Sequence, residues 1–188
     1  MLGLQSSISS SSFMLSPSFS YESDFSSGVE GWAATSVEGT LTLASNANPY
    51  DDLGGSAPDS DGWLRGTYDT NQTNSSGLIK GGLFSSSPGG SIGDHAIIIM
   101  DIYLPDDSGK WGSAAPIKTV VNDSIGIAQQ YQVPLDTLTT ATFTGTESTD
   151  TAYNGNIILL WSDSSDLPQN GARFYLKNIK IDVFKLNN

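Results

Sequence analysis

The chain has 188 residues, no cysteine, one histidine and a formal net charge of −12, a length that suits one domain around one core. The missing cysteines exclude disulfide frameworks, thiol catalysis and cysteine-ligated metals, and the lone His95 excludes multi-histidine metal sites. The acidity argues against a nucleic-acid partner, and since no window of 18 apolar residues occurs, we expect no membrane partner.

Residues 1–21 form an uncharged segment in which nine of the first 20 residues are serine. It lacks the basic start of a secretory signal and cannot build a core of its own. We therefore expect an extended N-terminal arm that packs against a neighbouring subunit, so that the protein is a homo-oligomer or part of a larger assembly. The apolar anchors of this assembly arm are Leu2, Leu4, Ile8, Phe13, Leu15 and Phe19.

From residue 22 to residue 188 the chain is typical of an all-β domain. In chain order, alternation and apolar runs predict strands at 39–44, 63–68, 78–84, 95–104, 125–131, 139–145, 157–162 and 179–185. Clusters of Gly, Asp, Ser, Pro and Asn separate them, as turns require. No stretch has the spacing of a long amphipathic helix. Eight or nine short strands in this length predict a jelly-roll β-sandwich.

Two stretches carry a family resemblance. Asp24-Phe-Ser-Ser-Gly-Val-Glu-Gly-Trp32, with the following Gly39-Thr-Leu-Thr-Leu43, resembles the opening of jelly-roll carbohydrate-binding modules of the galactose-binding-like superfamily. The run from Phe174 to Phe184 resembles their closing strand. The resemblance implies the same β-sandwich and a glycan ligand. It also implies a structural calcium ion that joins the first and last strands through Asp182 and either Glu22 or Asp24.

A second resemblance concerns the N-terminus. Met1 to Leu4, followed by the serine run from Ser6 to Ser12, resembles small structural proteins of tailed bacteriophages. It implies a non-enzymatic virion protein, either a capsid decoration, a fibre segment or a tail accessory subunit, which also binds host-surface glycans. The alternative is a carbohydrate-binding module or adhesin outside a virion, located extracellularly or on a cell surface.

Sugar recognition needs aromatic rings flanked by polar side chains, and several candidates occur on the predicted strands. We select Arg65, Tyr68, Trp111 and Tyr131 as glycan- or partner-binding residues, with Trp111 expected to be exposed between two glycines. Trp63 and Tyr103 are further open aromatics. The alternative for each ring is a place in the core, which we expect for Trp32 and Trp161.

Catalysis is not expected. The sequence contains no nucleophile elbow, phosphate-binding loop or dinucleotide fingerprint, and its few glutamates form no motif. The acidic loop 50–62 is a second candidate calcium loop, with a solvated turn as the alternative. The sequence therefore predicts a binding or structural protein that needs no cofactor beyond calcium.

Overall fold

The computed structural model describes residues 16–80, 95–106, 109–111, 114–121, 125–146, 157–161 and 167–184. Most residues of the predicted assembly arm, namely Leu2, Leu4, Ile8, Phe13 and Leu15, lie outside this described part. Within it, no helix has the length and apolarity needed to cross a bilayer.

The described chain consists of short strands and one helical turn. The strands are β1 (Phe19–Ser23), β2 (Trp32–Thr35), β3 (Leu41–Ala47), β4 (Trp63–Tyr68), β5 (Ser76–Lys80), β6 (His95–Tyr103), β7 (Ala114–Val121), β8 (Ile125–Pro134), β9 (Thr139–Thr146), β10 (Ile157–Trp161) and β11 (Arg173–Phe184). Helix α1 (Pro49–Leu53) lies between β3 and β4.

The strands form two antiparallel sheets that pack face to face. Sheet A has the order β3-β4-β11-β6-β9, with β1 also paired to β11, and sheet B has the order β2-β5-β10-β7-β8. The chain crosses between the sheets repeatedly, as in a jelly roll. The predicted all-β, jelly-roll β-sandwich is thus confirmed.

Alternation places the core between the sheets. Along β11, Ile179, Ile181 and Val183 are buried while Lys180 and Asp182 face outward, because successive side chains on a strand point to opposite faces. The interior also holds the rings of Trp32 and Trp161, each 2% exposed, which confirms the expected core positions. Large aromatic rings there supply much of the apolar area that stabilises the fold.

The prediction that Trp111 and Tyr68 contact a glycan or partner at the surface is wrong, because both rings are buried. Trp111 is 4% exposed, and its Nε1 donates to the carbonyl oxygen of Arg173 at 2.9 Å, so the loop turns the ring inward and satisfies its one donor there. Tyr68 is 1% exposed, and its hydroxyl oxygen accepts from Ser76 Oγ at 3.2 Å. Burial raises the pKa of Tyr68. Neither ring can stack on a sugar from solvent.

The sandwich begins before residue 22. Strand β1 starts at Phe19, which pairs with Val183 of β11, and Ser18 N donates to the carbonyl oxygen of Val183 at 2.7 Å. Phe19 packs against the core of its own chain. The last residues of the predicted arm therefore form part of sheet A.

Candidate functional site

The described part of the outer face of sheet B offers few groups for recognition. Its described side chains are mostly aliphatic or amide, with Ile79 and Ile158 half-buried and Gln130 exposed. Among the described side chains of this face there is no aromatic ring. Sugar stacking therefore finds no platform on the described part of sheet B.

The outer face of sheet A carries three aromatic rings on neighbouring strands. Trp63, Tyr103 and Tyr175 lie on β4, β6 and β11 and are 2%, 3% and 0% exposed. The rings of Tyr103 and Tyr175 have centroids 6.2 Å apart. Together with Ala57 they form a small apolar cluster separate from the main core. We call Trp63, Tyr103 and Tyr175 the aromatic platform.

Residues 48–62 lie over the aromatic platform, and we call them the cover segment. Asn48 starts helix α1 by accepting a hydrogen bond from Tyr50 N at 2.9 Å, and Pro49 suits the first helical turn. The helix ends at Gly54, and both Gly54 and Gly55 have φ 68°, a conformation that glycine adopts without strain. The acidic loop of the sequence is thus a one-turn helix followed by a glycine turn.

Asp52 fastens the cover segment to sheet A. Arg65 Nη1 donates to its two carboxylate oxygens at 2.8 and 2.9 Å, and the Tyr175 hydroxyl donates to Oδ2 at 3.0 Å. Burial, and then the neighbouring carboxylate of Asp52, raise the pKa of Tyr175. Arg65 lies on the outer face, as a glycan-binding residue would, but in this arrangement its guanidinium is engaged by Asp52.

The far end of the cover segment is held by β11 and β4. Lys177 Nζ lies 5.8 Å from the centroid of the Trp63 ring and donates to the carbonyl oxygen of Asp61. Trp63 Nε1 donates to Ser60 Oγ at 3.0 Å. These contacts are polar and lie at the edge of the covered area.

A cleft of about 230 Å³ opens between the cover segment and the loops that follow β6 and β8. Asp136 organises it, because its Oδ1 accepts from the Tyr103 hydroxyl at 3.3 Å and from Asp106 N at 2.9 Å. Asp136 Oδ2 has no hydrogen-bond partner among the described residues. The cleft therefore presents carboxylate acceptors beside a tyrosine. Its full lining is Leu53, Gly54, Gly55, Ser56, Tyr103, Pro105, Asp106 and Asp136.

The predicted calcium pair of Asp24 and Asp182 does not come together. In the β1–β11 register, Asp182 lies opposite Ser20, four residues before Asp24, which corresponds to about 13 Å along the strand. Lys180 Nζ lies 3.4 Å from Asp182 and 3.7 Å from Glu22. Asp24 instead accepts from Ser26 N at 2.9 Å, and this hydrogen bond lowers its pKa. One ion cannot bind both carboxylates, so the pair does not fit a calcium site.

The acidic loop does not assemble a cation site either. Asp59 accepts from Asn48 Nδ2 at 3.2 Å, and Asp52 is bound by Arg65. Within the described ranges, no group of three or more His, Cys, Asp or Glu side chains could hold a metal ion.

Of the four selected binding residues, only Arg65 lies on the face that carries the cleft, where the further candidates Trp63 and Tyr103 also lie. Tyr131 is half-buried and packs against Phe143, with ring centroids 6.1 Å apart. Asp52 and Asp136 carry no sequence signal, since each is an aspartate in an ordinary turn or cap setting. Their importance comes from partners on distant strands.

Solved structures share the fold of this chain, although its sequence has no match among family models or curated proteins. The CBM22-1 xylan-binding domain of Paenibacillus barcinonensis Xyn10C is a similar solved structure, with 15% identity over 89% of this chain and 95% of that chain and a TM-score of 0.50. A second xylan-binding CBM 22 domain has 12% identity over 89% and 96% of the two chains and a TM-score of 0.51.

An enzyme has a similar fold. The Stig cyclase Fisc from Fischerella sp. TAU matches with 13% identity over 84% of this chain and 86% of that chain, with a TM-score of 0.51. At such identities the likeness concerns the fold, and fold alone does not decide activity. The chain is therefore a jelly-roll β-sandwich of the architecture found in carbohydrate-binding modules.

Proposed function

We propose that the protein binds glycans, without catalysing a reaction, through the cleft on the outer face of sheet A. The observation that carries the proposal is the convergence of the Tyr103 hydroxyl and the carboxylates of Asp106 and Asp136 in one cleft of about 230 Å³. The fold supports it, because similar structures include xylan-binding domains.

The chemistry of the cleft suits a sugar. Sugar hydroxyls donate to carboxylates, and charge-assisted hydrogen bonds are the stronger ones. The hydrogen bonds from Tyr103 and Asp106 N hold Asp136 in place before a ligand arrives, which reduces the entropy lost on binding. The volume lies below the roughly 300–1,000 Å³ of pockets for drug-sized ligands, so the closed cleft suits one terminal or branching sugar residue.

Isothermal titration calorimetry with xylohexaose and a panel of other oligosaccharides tests the proposal. Asp136→Asn keeps the side-chain shape and removes the charge, and we expect at least a roughly tenfold weaker affinity. Asp24→Asn is the charge-matched control, because Asp24 is exposed and does not line the cleft. We expect it to bind as the unmodified protein does.

Gln130→Ala tests the opposite face, since Gln130 is exposed on sheet B. Loss of binding in this variant, with normal binding in Asp136→Asn, would transfer the site to sheet B. A protein that binds no member of the panel would refute the function itself. Chromatography of the incubated oligosaccharides separates binding from catalysis, because any shortened or rearranged product contradicts a non-enzymatic role.

The setting that we propose for this binding is a phage virion, in which residues 1–15 attach the sandwich to its assembly. The sequence from Met1 to Ser12 supports this setting. A deletion of residues 1–15 leaves β1 intact, since that strand begins at Phe19. We expect the truncated protein to bind glycans normally and to be absent from purified particles. Equal incorporation of both forms would refute an assembly role for the arm.

A further inference from the structure

We infer that the cover segment is a lid, and that its opening exposes the aromatic platform as a stacking surface for the sugar rings of a longer glycan. The inference rests on the proposed function and extends it from one sugar residue in the cleft to several along sheet A. It assigns a binding role to Trp63, Tyr103 and Tyr175, which the closed arrangement buries.

The platform has the form of a stacking surface. Tyr175 lies directly opposite Tyr103 across the β11–β6 pair and opposite Arg65 across the β11–β4 pair, so the three strands run side by side. Trp63 is two residues from Arg65 and therefore faces the same side. The rings span neighbouring strands that lie about 4.7–4.9 Å apart. Aromatic rings on a sheet face offer the apolar surface on which sugar C–H groups pack.

The cover segment contributes little apolar surface to the closed state. Ala57 and Leu53 are its apolar members in the cluster with the platform. Pro49 is buried as well. The contacts of Asp52, Ser60 and Asp61 with β4 and β11 are polar, and the Arg65 and Asp52 side chains remain 32% and 24% exposed. Partly solvated ion pairs stabilise weakly. Segments with few buried apolar contacts open at lower free energy than the core.

Glycines allow the segment to move. Gly54 and Gly55 have φ 68° and open space around them, and Gly62 has φ 85° where the segment joins β4. Residues 53–56 of the same segment form one wall of the cleft. A glycan too long for the closed cleft would therefore meet the cover segment first, and its displacement would extend the site onto the platform.

The chain contains no cysteine, so a single introduced thiol reports local opening. Ala57→Cys places a thiol on the side of the cover segment that packs against the platform, where Ala57 is 7% exposed. Ala141→Cys is the matched control in the main core, where Ala141 is 0% exposed, and Ala172→Cys replaces it if that variant folds poorly. Labelling by a thiol reagent in native buffer should be at least roughly tenfold faster at position 57 than at position 141. Equal rates would overturn the inference.

Tyr175→Phe loosens the lid while keeping the ring. It removes the hydroxyl that donates to Asp52, and a hydrogen bond to a charged group is strong enough for a roughly tenfold rise in labelling at position 57. The rate at position 141 should change far less. An unchanged rate at position 57 would show that Asp52 does not hold the segment closed.

The last measurement repeats the thiol labelling in the presence of xylohexaose, or of whichever oligosaccharide the calorimetry identifies. Saturating glycan should accelerate labelling at position 57, because the bound state keeps the cover segment open. If the glycan binds through Asp136 and labelling stays unchanged or slows, the lid inference fails and the proposed function stands. If position 57 opens locally but no glycan binds, the proposed function fails, and with it the role of the platform.

Discussion

The Gly66→Ala substitution tests how tightly the interior of sheet A is packed beneath the platform. Gly66 lies on β4 directly opposite Phe174 of β11. A Cβ atom at position 66 would lie 2.1 Å from Phe174 Cζ and 2.2 Å from Cε1, well inside van der Waals contact. The Phe174 ring thus occupies the space that any other residue at position 66 would need.

The ring has little freedom to step aside. Its centroid lies 5.2 Å from that of Trp161 and 6.2 Å from that of Tyr68, and all three residues are buried. Overpacking of such a core costs about 1–3 kcal/mol. Alanine also lowers the conformational entropy of the unfolded chain, and this effect offsets about 0.4–1 kcal/mol of the packing cost. We expect a net loss of about 1.3 kcal/mol, equivalent to about 3–5 °C in Tm for a chain of this length.

Urea unfolding followed by tryptophan fluorescence measures the loss. A double-mutant cycle with Phe174→Leu assigns its cause, because the smaller side chain vacates the space and the double variant should be more stable than the sum of the single losses predicts. A Gly66→Ala protein as stable as the parent, or strictly additive losses, would refute the packing argument.

Three further predictions follow from buried or capped groups. Gly77→Ala should abolish folding, assayed as soluble yield, because its Cβ would overlap the carbonyl oxygen of Leu159 and a backbone atom cannot rotate away. Asp69 accepts a hydrogen bond from Thr40 N, which lowers the pKa of Asp69 below the ordinary 3.8. Its contribution to the free energy of unfolding is therefore present above pH 3.8 and is lost as pH falls through the lowered pKa. Urea titrations of Asp69→Asn should show a smaller loss of stability in acid. The pKa of Tyr175 is raised above its ordinary value of 10.0, so its contribution to the free energy of unfolding is present below pH 10 and is lost as pH rises above that value. Tyr175→Phe should therefore show a smaller loss of stability at alkaline pH in the same assay.

The strands were the part of the fold most accessible from the sequence. Alternation at Ile179, Ile181 and Val183 requires one buried face, and β11 has it. Strand β1 lies largely in the predicted arm and is not predicted as a strand. The weak strands β2 and β7 of sheet B are not predicted either. β2 has four residues, and β7 contains Pro116, which lacks the backbone donor a ladder uses. Each is defined by its partners in sheet B rather than by its own pattern.

The tertiary contacts of the acidic loop 50–62 could not be predicted from its sequence. Its composition indicates a turn, yet Asn48 and Pro49 start a short helix there. Asp52 matters because Arg65, Tyr175 and the platform approach it from strands β4 and β11. No local sequence pattern predicts that a turn will cover aromatic rings on the outer face of a sheet.

The all-β fold class follows from residue alternation and turn chemistry, because both act between neighbours in the chain. The burial of the Trp111 and Tyr68 rings depends instead on contacts between distant segments. Trp111 lies in a glycine-bounded loop and is nevertheless in the core, because the carbonyl of Arg173 accepts its indole N–H. Tertiary structure also decided the site, since Tyr103 meets Asp136 across 33 residues of chain. Such pairs follow from the order of strands in the sheets, and that order is set by the packing of the whole chain.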